Sequence, residues 1–459
     1  MKSINPAIFK AYDIRGIVAT DLTPDAVRLI GQAFGSESLK QDCQRVVIAR
    51  DGRLHSEQLS QALAEGLQAA GCDVIDVGLV PTPVLYFASH QLKTGTGIMV
   101  TGSHNPPEYN GLKMIMAGNT LYGDDIQALR QRIEKQEYSK GKGHYQQQAM
   151  LQTYVDRIVS DVKLQRPLNI AVDCGNGVAG VVASELFRAL GCQVTELYCE
   201  VDGNFPNHHP DPSKLENLQD LRHSIDKNQL DLGLAFDGDG DRVGIIDNEL
   251  NIIWPDRQMI LYAEDVLSRN PGSQIIYDIK SSYHLGKAIE NMGGEPLMWK
   301  TGHSLIKAKM KQTGALLAGE MSGHIFFKER WFGFDDGLYS AARMLEILSK
   351  KPGTTSDVFK QLPDSFNTPE LQVNFAEGEH YKYMDAFKKQ ADFSDAQDIS
   401  TIDGMRVTWD KGWGLIRPSN TTPCLVLRFE ADDEQTLIDV QEKFRDQMLR
   451  VNPDLDIPF

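Results

Sequence analysis

A chain of 459 residues is too long for one hydrophobic core and implies three or four units, each burying its own apolar surface. Its formal net charge of -16 argues against general affinity for nucleic acid or anionic membrane, both of which repel an acidic surface, so an anionic ligand needs a local basic pocket. Six cysteines (Cys43, Cys72, Cys174, Cys192, Cys199, Cys424) are scattered without a Cys-x-x-Cys pair, which fits reduced thiols and argues against zinc. Neither a signal-peptide core nor an uncharged run of the ~20 residues needed for a membrane helix is present, so a soluble cytoplasmic protein is expected.

In chain order, one plan recurs three times: an apolar strand ending in Asp, a polar loop, an amphipathic helix closed by Gly, and a second strand. The first copy is Val46-Val-Ile-Ala-Arg-Asp51, a helix over 56–70, Gly71, then a strand at 74–77. The second is Asn169-Ile-Ala-Val-Asp173, a helix reaching Leu190, Gly191, then Val194. The third is Gln274-Ile-Ile-Tyr-Asp278, a helix through Asn291, Gly293-Gly294, then 296–299. Short apolar runs alternating with helices imply βαβ units and largely parallel sheets. Each copy then continues into another strand (96–100, 232–236, 315–318) and a polar loop. Polar linkers are expected at 135–148 and 269–273. Beyond about residue 365 the strands shorten (371–375, 405–409, 424–430) and an acidic helix over 433–449 closes the chain, which reads as an α+β domain. The fold class is therefore α/β: three similar α/β domains (1–150, 151–252, 253–364) and a C-terminal α+β domain (365–459) around a central cleft.

The three loops that follow these strands complement one another chemically. Thr101-Gly-Ser-His-Asn-Pro-Pro107 offers the Ser103 hydroxyl on a Gly- and Pro-punctuated turn; such serines otherwise cap turns or face solvent. His104 beside it is an acid/base candidate, although sequence neighbours usually point apart. In Asp237-Gly-Asp-Gly-Asp-Arg242, three carboxylates converge after a buried strand, which is costly without a cation and selects Mg²⁺ or a similar hard ion. A solvated acidic turn is the bland alternative. An EF-hand is ruled out by Arg242 at its sixth position and Asn248 at its twelfth, and a haloacid-dehalogenase-like aspartyl nucleophile stays open. In Gly319-Glu-Met-Ser-Gly-His324, Glu320 and Ser322 lie on one side if the segment is extended, suiting sugar hydroxyls, and His324 can transfer protons near neutrality. In the last domain, Arg417-Pro-Ser-Asn-Thr-Thr-Pro423 offers a guanidinium, hydroxyls and an amide as an anion cradle. Arg15, Lys113, Arg242, Lys280 and His303 recur at strand ends, as if lining one cleft.

With Ala11-Tyr-Asp-Ile-Arg-Gly16, these motifs in this order resemble the α-D-phosphohexomutase family over nearly the whole chain, closest to its bacterial bifunctional phosphomannomutase/phosphoglucomutase branch. The resemblance implies interconversion of hexose 1- and 6-phosphates through phospho-Ser103 and a hexose 1,6-bisphosphate. It implies Mg²⁺ held by Asp237, Asp239, Asp241 and the Ser103 phosphate. Arg417, Ser419, Asn420 and Thr421 would grip the non-reacting phosphate, and Glu320, Ser322 and His303 would meet the sugar. Tyr12, Arg15, Lys113, Arg242 and Lys280 would complete the cleft, with His104, Lys113 and His324 as the acid/base candidates. One departure follows Lys280, where Ser281-Ser-Tyr-His-Leu285 replaces the Cys-Thr-Arg-Arg of similar sequences. Partners are hexose phosphates, with neither nucleic acid nor membrane, and a monomer is expected. Phosphoglucosamine mutase is the nearest alternative, followed by an aspartyl-nucleophile phosphatase and a silent sugar-phosphate-binding protein.

Overall fold

The three copies share one strand topology in the computed structural model, which describes residues 4–420 and 422–459. In the first sheet, Asp73–Leu79 lies parallel to Arg45–Arg50, which lies parallel to Gly97–Val100, and Tyr109–Met116 returns antiparallel. The second repeats this order with Gln193–Leu197, Asn169–Asp173, Leu232–Phe236 and Val243–Asp247. The third repeats it with Glu295–Trp299, Gln274–Asp278, Leu317–Gly319 and Ile325–Phe327. The three chemically distinct loops are thus the same hairpin, joining the third strand to the fourth. The sheets are mixed, because only the first three strands of each copy run parallel.

Local sequence accounts for these elements. Val46, Val47, Ile48 and Ala49 are all buried, as a central strand covered on both faces requires. The helix Ser56–Ala70 ends on Gly71 at φ 109°, and the Gly71 N–H reaches back to the carbonyls of Leu67 and Gln68. In the second copy the helix expected to reach Leu190 is broken into a 3-10 turn, Val178–Val181, and a short helix, Ala183–Ala189. Gly180 sits so close to Cys199 that a Cβ there would lie 2.0 Å from its carbonyl oxygen, so this backbone follows tertiary packing. The stretch 135–148 is not wholly a linker either: Tyr145–Gln147 adds a parallel edge strand to the first sheet beside Asp73–Leu79. All three of its residues are exposed, which removes the apolar alternation that would mark a strand.

One continuous core runs through the first three sheets, from Val47 and Phe87 through Leu186 and Phe236 to Leu345. The fourth sheet is antiparallel. Cys424–Ala431 and Gly412–Pro418 form its centre, and its separate core gathers Phe387, Phe393, Leu427 and Phe444. The closing helix Glu434–Val451 is capped by Asp433, whose side chain accepts from the Thr436 N–H. No helix among the described residues is long and apolar enough to cross a membrane.

The helix that follows the first copy's Asp loop is held by close packing at glycine. A Cβ on Gly66 would meet the Arg28 carbonyl oxygen at 2.1 Å on the neighbouring helix Pro24–Lys40. Gly66→Ala is expected to lower stability by about 2 kcal/mol, read as a reduced urea midpoint at unchanged slope; an unchanged midpoint contradicts this packing.

Candidate active site

The serine loop is built around a buried aspartate. Asp51, at the end of the first strand, accepts from the Thr101 hydroxyl at 2.8 Å and the Gly102 N–H at 3.1 Å, and Thr101 in turn accepts from the Ser103 N–H at 2.8 Å. Arg53 donates to the carbonyls of Ser103, Asn105, Pro106 and Tyr109 at 2.6–3.0 Å, wrapping the loop around one guanidinium. Ser103 is thereby held at φ 47°, a left-handed conformation rare for a residue with a Cβ. That twist brings sequence neighbours together: Ser103 Oγ lies 3.2 Å from His104 Nδ1 and donates to Asp237 Oδ2 at 3.0 Å. Arg15 bonds the Gly102 carbonyl at 3.3 Å and also the Asn105 side chain, and is paired with Asp13 at 2.5 Å.

Asp237, Asp239 and Asp241 are completely buried, with one oxygen of each within 4.8 Å of the others. Lys113 bridges Asp239 at 2.7 Å and Asp241 at 2.5 Å, and Arg242 pairs with Asp237 at 2.9 Å. Burial alone would drive the Lys113 ammonium toward neutrality, but Asp239 and Asp241 more than offset it and hold it firmly protonated. Burial, with the two neighbouring carboxylates, pushes Asp237 up to about 7 despite Arg242. Asp239 Oδ1 is buried without a hydrogen-bond partner, and Asp241 Oδ1 faces His324 Nε2 at 3.4 Å. An all-oxygen set with an orphaned carboxylate oxygen on Asp239 fits a hard divalent cation. Gly238 has to be glycine, since a Cβ there would stand 2.3 Å from the Ser103 carbonyl oxygen.

The third hairpin joins this cluster through His324. Its Nε2 lies 3.4 Å from Asp241 and its Nδ1 lies 3.3 Å from Glu320 and 3.0 Å from Ser322 Oγ. Burial opposes protonation of the ring, yet Asp241 and Glu320 raise it to about 9. The segment is a turn rather than extended, with the Gly323 N–H on the Glu320 carbonyl at 3.0 Å and Gly323 at φ 103°. Glu320 and Ser322 therefore meet at His324 instead of projecting as a parallel pair. His303 stacks on His324 at 5.6 Å, and its Nδ1 faces Asp335 at 3.6 Å.

The fourth loop meets the first and third at Tyr12. Its hydroxyl donates to the Thr301 carbonyl at 3.1 Å and accepts from the Asn420 amide. Arg417 is buried and paired with Asp403 at 3.0 Å, and Lys280 with Glu370 at 2.6 Å. Ser419 Oγ lies 3.0 Å from the Thr422 hydroxyl, while Thr421 lies outside the described residues. The departure after Lys280 faces the last domain: Ser282 donates to Glu430 at 2.6 Å, and Tyr283 bonds Asp432.

Several positioning residues were not singled out in the sequence. Asp51, Asp173 and Asp278 end the first strand of each copy, and each is buried. Asp173 accepts from the Gly175 N–H at 2.9 Å and meets His208 at 3.0 Å. Asp278 gathers Ser281 Oγ at 2.8 Å, Thr301 Oγ1 at 3.1 Å and the Met321 N–H at 3.2 Å, drawing three loops of the third domain together. The recurrent Asp at each strand end was the available signal. Nothing in the sequence marks Arg53.

Removing Lys113 strands two buried carboxylates. Lys113→Met is expected to lose about 3 kcal/mol or more in metal-free buffer and to gain more thermal stability from added Mg²⁺ than the unsubstituted protein. Calorimetric scans with and without Mg²⁺ check this; equal Mg²⁺ responses contradict it.

"Phosphoglucomutase/phosphomannomutase, alpha/beta/alpha domain I" matches residues 6–140, domain II of the same family 152–250, domain III 254–366, and its C-terminal domain 370–447. The phosphomannomutase/phosphoglucomutase of Pseudomonas aeruginosa is 54% identical over 453 residues, covering 99% of this chain and 98% of its own. The phosphoglucomutase of Neisseria gonorrhoeae is 51% identical over 461 residues, covering all of both. Among solved structures, a phosphoglucomutase/phosphomannomutase family protein from Burkholderia thailandensis superposes with a TM-score of 0.95 at 52% identity, covering 99% of this chain and 100% of its own. The fold, the order of the site loops and these full-length likenesses agree: the chain belongs to the phosphoglucomutase/phosphomannomutase family.

Proposed function

We propose that this family member interconverts hexose 1-phosphates and hexose 6-phosphates of mannose and glucose, through phospho-Ser103 and a hexose 1,6-bisphosphate. The observation that carries the reading is the Ser103 hydroxyl, set between Asp237 and His104 where the hairpins meet. Relatives named for both activities, similar along their whole length, support it. In the first half-reaction a free hydroxyl of the bound sugar attacks the phosphorus on Ser103. The new P–O bond forms at the sugar as the Oγ–P bond breaks, and the hydroxyl proton passes to a base. The bisphosphate then reorients and returns its other phosphate to Ser103.

We assign the chain's groups as follows. His104 serves the serine oxygen, since its ring nitrogen already lies beside Oγ. His324, between Asp241 and Glu320, is the acid/base group on the sugar side. Lys113 is a fixed positive charge and no proton acceptor, because two carboxylates hold its proton. Arg15 and Arg242 brace the serine and aspartate loops, and Tyr12 joins the Thr301 segment of the third domain to the Asn420 loop of the fourth. Glu320, Ser322 and His303 meet the sugar. Arg417, Ser419, Asn420, Thr421 and Lys280 hold the non-reacting phosphate, with Asp403 and Glu370 preorienting the two cations. Asp237, Asp239, Asp241 and the phosphate on Ser103 would hold Mg²⁺, which when bound offsets negative charge on the transferring phosphoryl group. The separate core of the last domain supports a hinge near residue 365 that closes the cleft and keeps water from the phosphoryl group. We divide the chain into domains 1–150, 151–252, 253–364 and 365–459, and place it in the cytoplasm as a monomer.

Purified protein is expected to carry ~80 Da on the peptide containing Ser103 in part of the sample, and Ser103→Ala to lose that mass and ~1,000-fold or more in kcat. Phosphate on Asp237 would instead indicate an aspartyl phosphatase, and binding without exchange between glucose 1- and 6-phosphates a silent binding protein. Parallel assays with glucose, mannose and glucosamine 1-phosphates are expected to rank glucosamine last in kcat/KM. A first rank for glucosamine would make the protein a phosphoglucosamine mutase.

A further inference from the structure

Two thiols far apart in sequence meet beside the metal loop. Cys174 directly follows the strand Asn169–Asp173, and Cys199 follows its parallel neighbour Gln193–Leu197. Their sulfurs lie 3.5 Å apart across 25 residues of sequence. The register that sets Asp173 beside Leu197 brings the two segments that follow these strands together, and closing the bond takes the sulfurs to about 2.05 Å. Cys174 is fully buried, whereas Cys199 is partly open to solvent and lies 3.7 Å from the Ser184 hydroxyl. The hydrogen bond shared with Cys174 and that from Ser184 outweigh burial and bring the Cys199 thiol below its usual range; the same thiol contact, reinforced by burial, raises that of Cys174 well above. Cys199, the thiol open to solvent, is the one a small oxidant reaches first, and Cys174 is its buried resolving partner.

We propose that Cys174 and Cys199 form a peroxide-reactive dithiol that closes reversibly to a disulfide. The Cys199 thiolate attacks one oxygen of a hydroperoxide, the O–O bond breaks, and the departing alkoxide or hydroxide leaves as the alcohol or water after taking a proton. Cys199 is left as a sulfenic acid. The Cys174 sulfur then attacks Cys199 Sγ, the S–O bond breaks, and the hydroxyl leaves with the Cys174 proton as water. Two thiols are oxidised and one hydroperoxide is reduced, and a dithiol reductant reverses the change.

The site also touches the catalytic frame. The Cys174 carbonyl accepts from the Gly177 N–H at 2.7 Å, and the next N–H, on Val178, donates to the Gly238 carbonyl in the aspartate loop at 3.1 Å. Drawing Cys174 toward Cys199 pulls on the backbone that supports Gly238, so closure lowers mutase turnover.

The full-length protein treated with equimolar hydrogen peroxide is expected to lose about 2 Da, and alkylation under denaturing conditions to find two fewer thiols than in untreated protein. Fragmentation of the linked peptides has to place the bond between Cys174 and Cys199, since Cys192 shares a tryptic peptide with Cys199. Turnover falls with the same time course and returns on reduction with dithiothreitol. Cys199→Ser and, separately, Cys174→Ala are expected to form no such bond and to keep their turnover under the same treatment. Loss of a thiol at Cys43 alone, accumulation of a sulfinic acid on Cys199 without the cross-link, or no thiol loss overturns the proposal. A cross-link that leaves turnover unchanged overturns the coupling to the aspartate loop.

Discussion

Three carboxylates buried on one tight turn are the constraint from which the site follows. Each ion taken out of water costs several kcal/mol unless countercharge stands within hydrogen-bonding reach. Here that countercharge arrives from different parts of the chain. Lys113 comes from the first domain's return strand and Arg242 from the second domain, and His324 from the third closes the cluster. The charge balance that makes the turn tolerable therefore holds three domains in register, and it sets Ser103 Oγ against Asp237. Asp239 Oδ1 is the carboxylate oxygen of the cluster that these donors leave without a partner.

Repetition explains how one fold supplies unlike chemistries. The hairpin between the third and fourth strands carries the hydroxyl in the first copy, the carboxylates in the second and the turn of Glu320 and Ser322 in the third. The aspartate ending each first strand braces a neighbouring loop in every copy: Asp51 the serine loop, Asp173 the segment behind Gly238, and Asp278 the loops of Ser281, Thr301 and Met321. The last domain has its own core and meets the third through a small buried apolar cluster of Ile279, Trp413 and Leu415, beside polar contacts such as Ser282 to Glu430 and Thr301 to Asp403.

The plan of three α/β units and an α+β domain was legible because apolar strands, glycine stops and loops recur at matching places. The three hairpin loops were legible because Ser103, the alternating aspartates and the Glu320 segment are strong local signals. Their convergence was not. Ser103 and His104 face the same point only because tertiary bonds hold Ser103 at φ 47°, a conformation its sequence neighbours do not impose. Glu320 and Ser322 form a tight turn where extension was expected, since Gly323 lets the hairpin close. The strand Tyr145–Gln147 is exposed at a sheet edge and carries no apolar alternation, and Arg53 acts through carbonyl oxygens that no side-chain motif records. The Cys174 and Cys199 sulfurs meet through strand pairing rather than through spacing along the chain.

The account stands on Ser103 passing its phosphate to the sugar. Enzyme isolated with radiolabelled phosphate on Ser103 and mixed with excess unlabelled glucose 1-phosphate tests that directly in a single turnover. The label is predicted to leave the protein and appear first in glucose 1,6-bisphosphate, at a rate no slower than steady-state turnover, with almost none as inorganic phosphate. Label that stays on the protein while glucose 6-phosphate accumulates, or that is released only as inorganic phosphate, would contradict it.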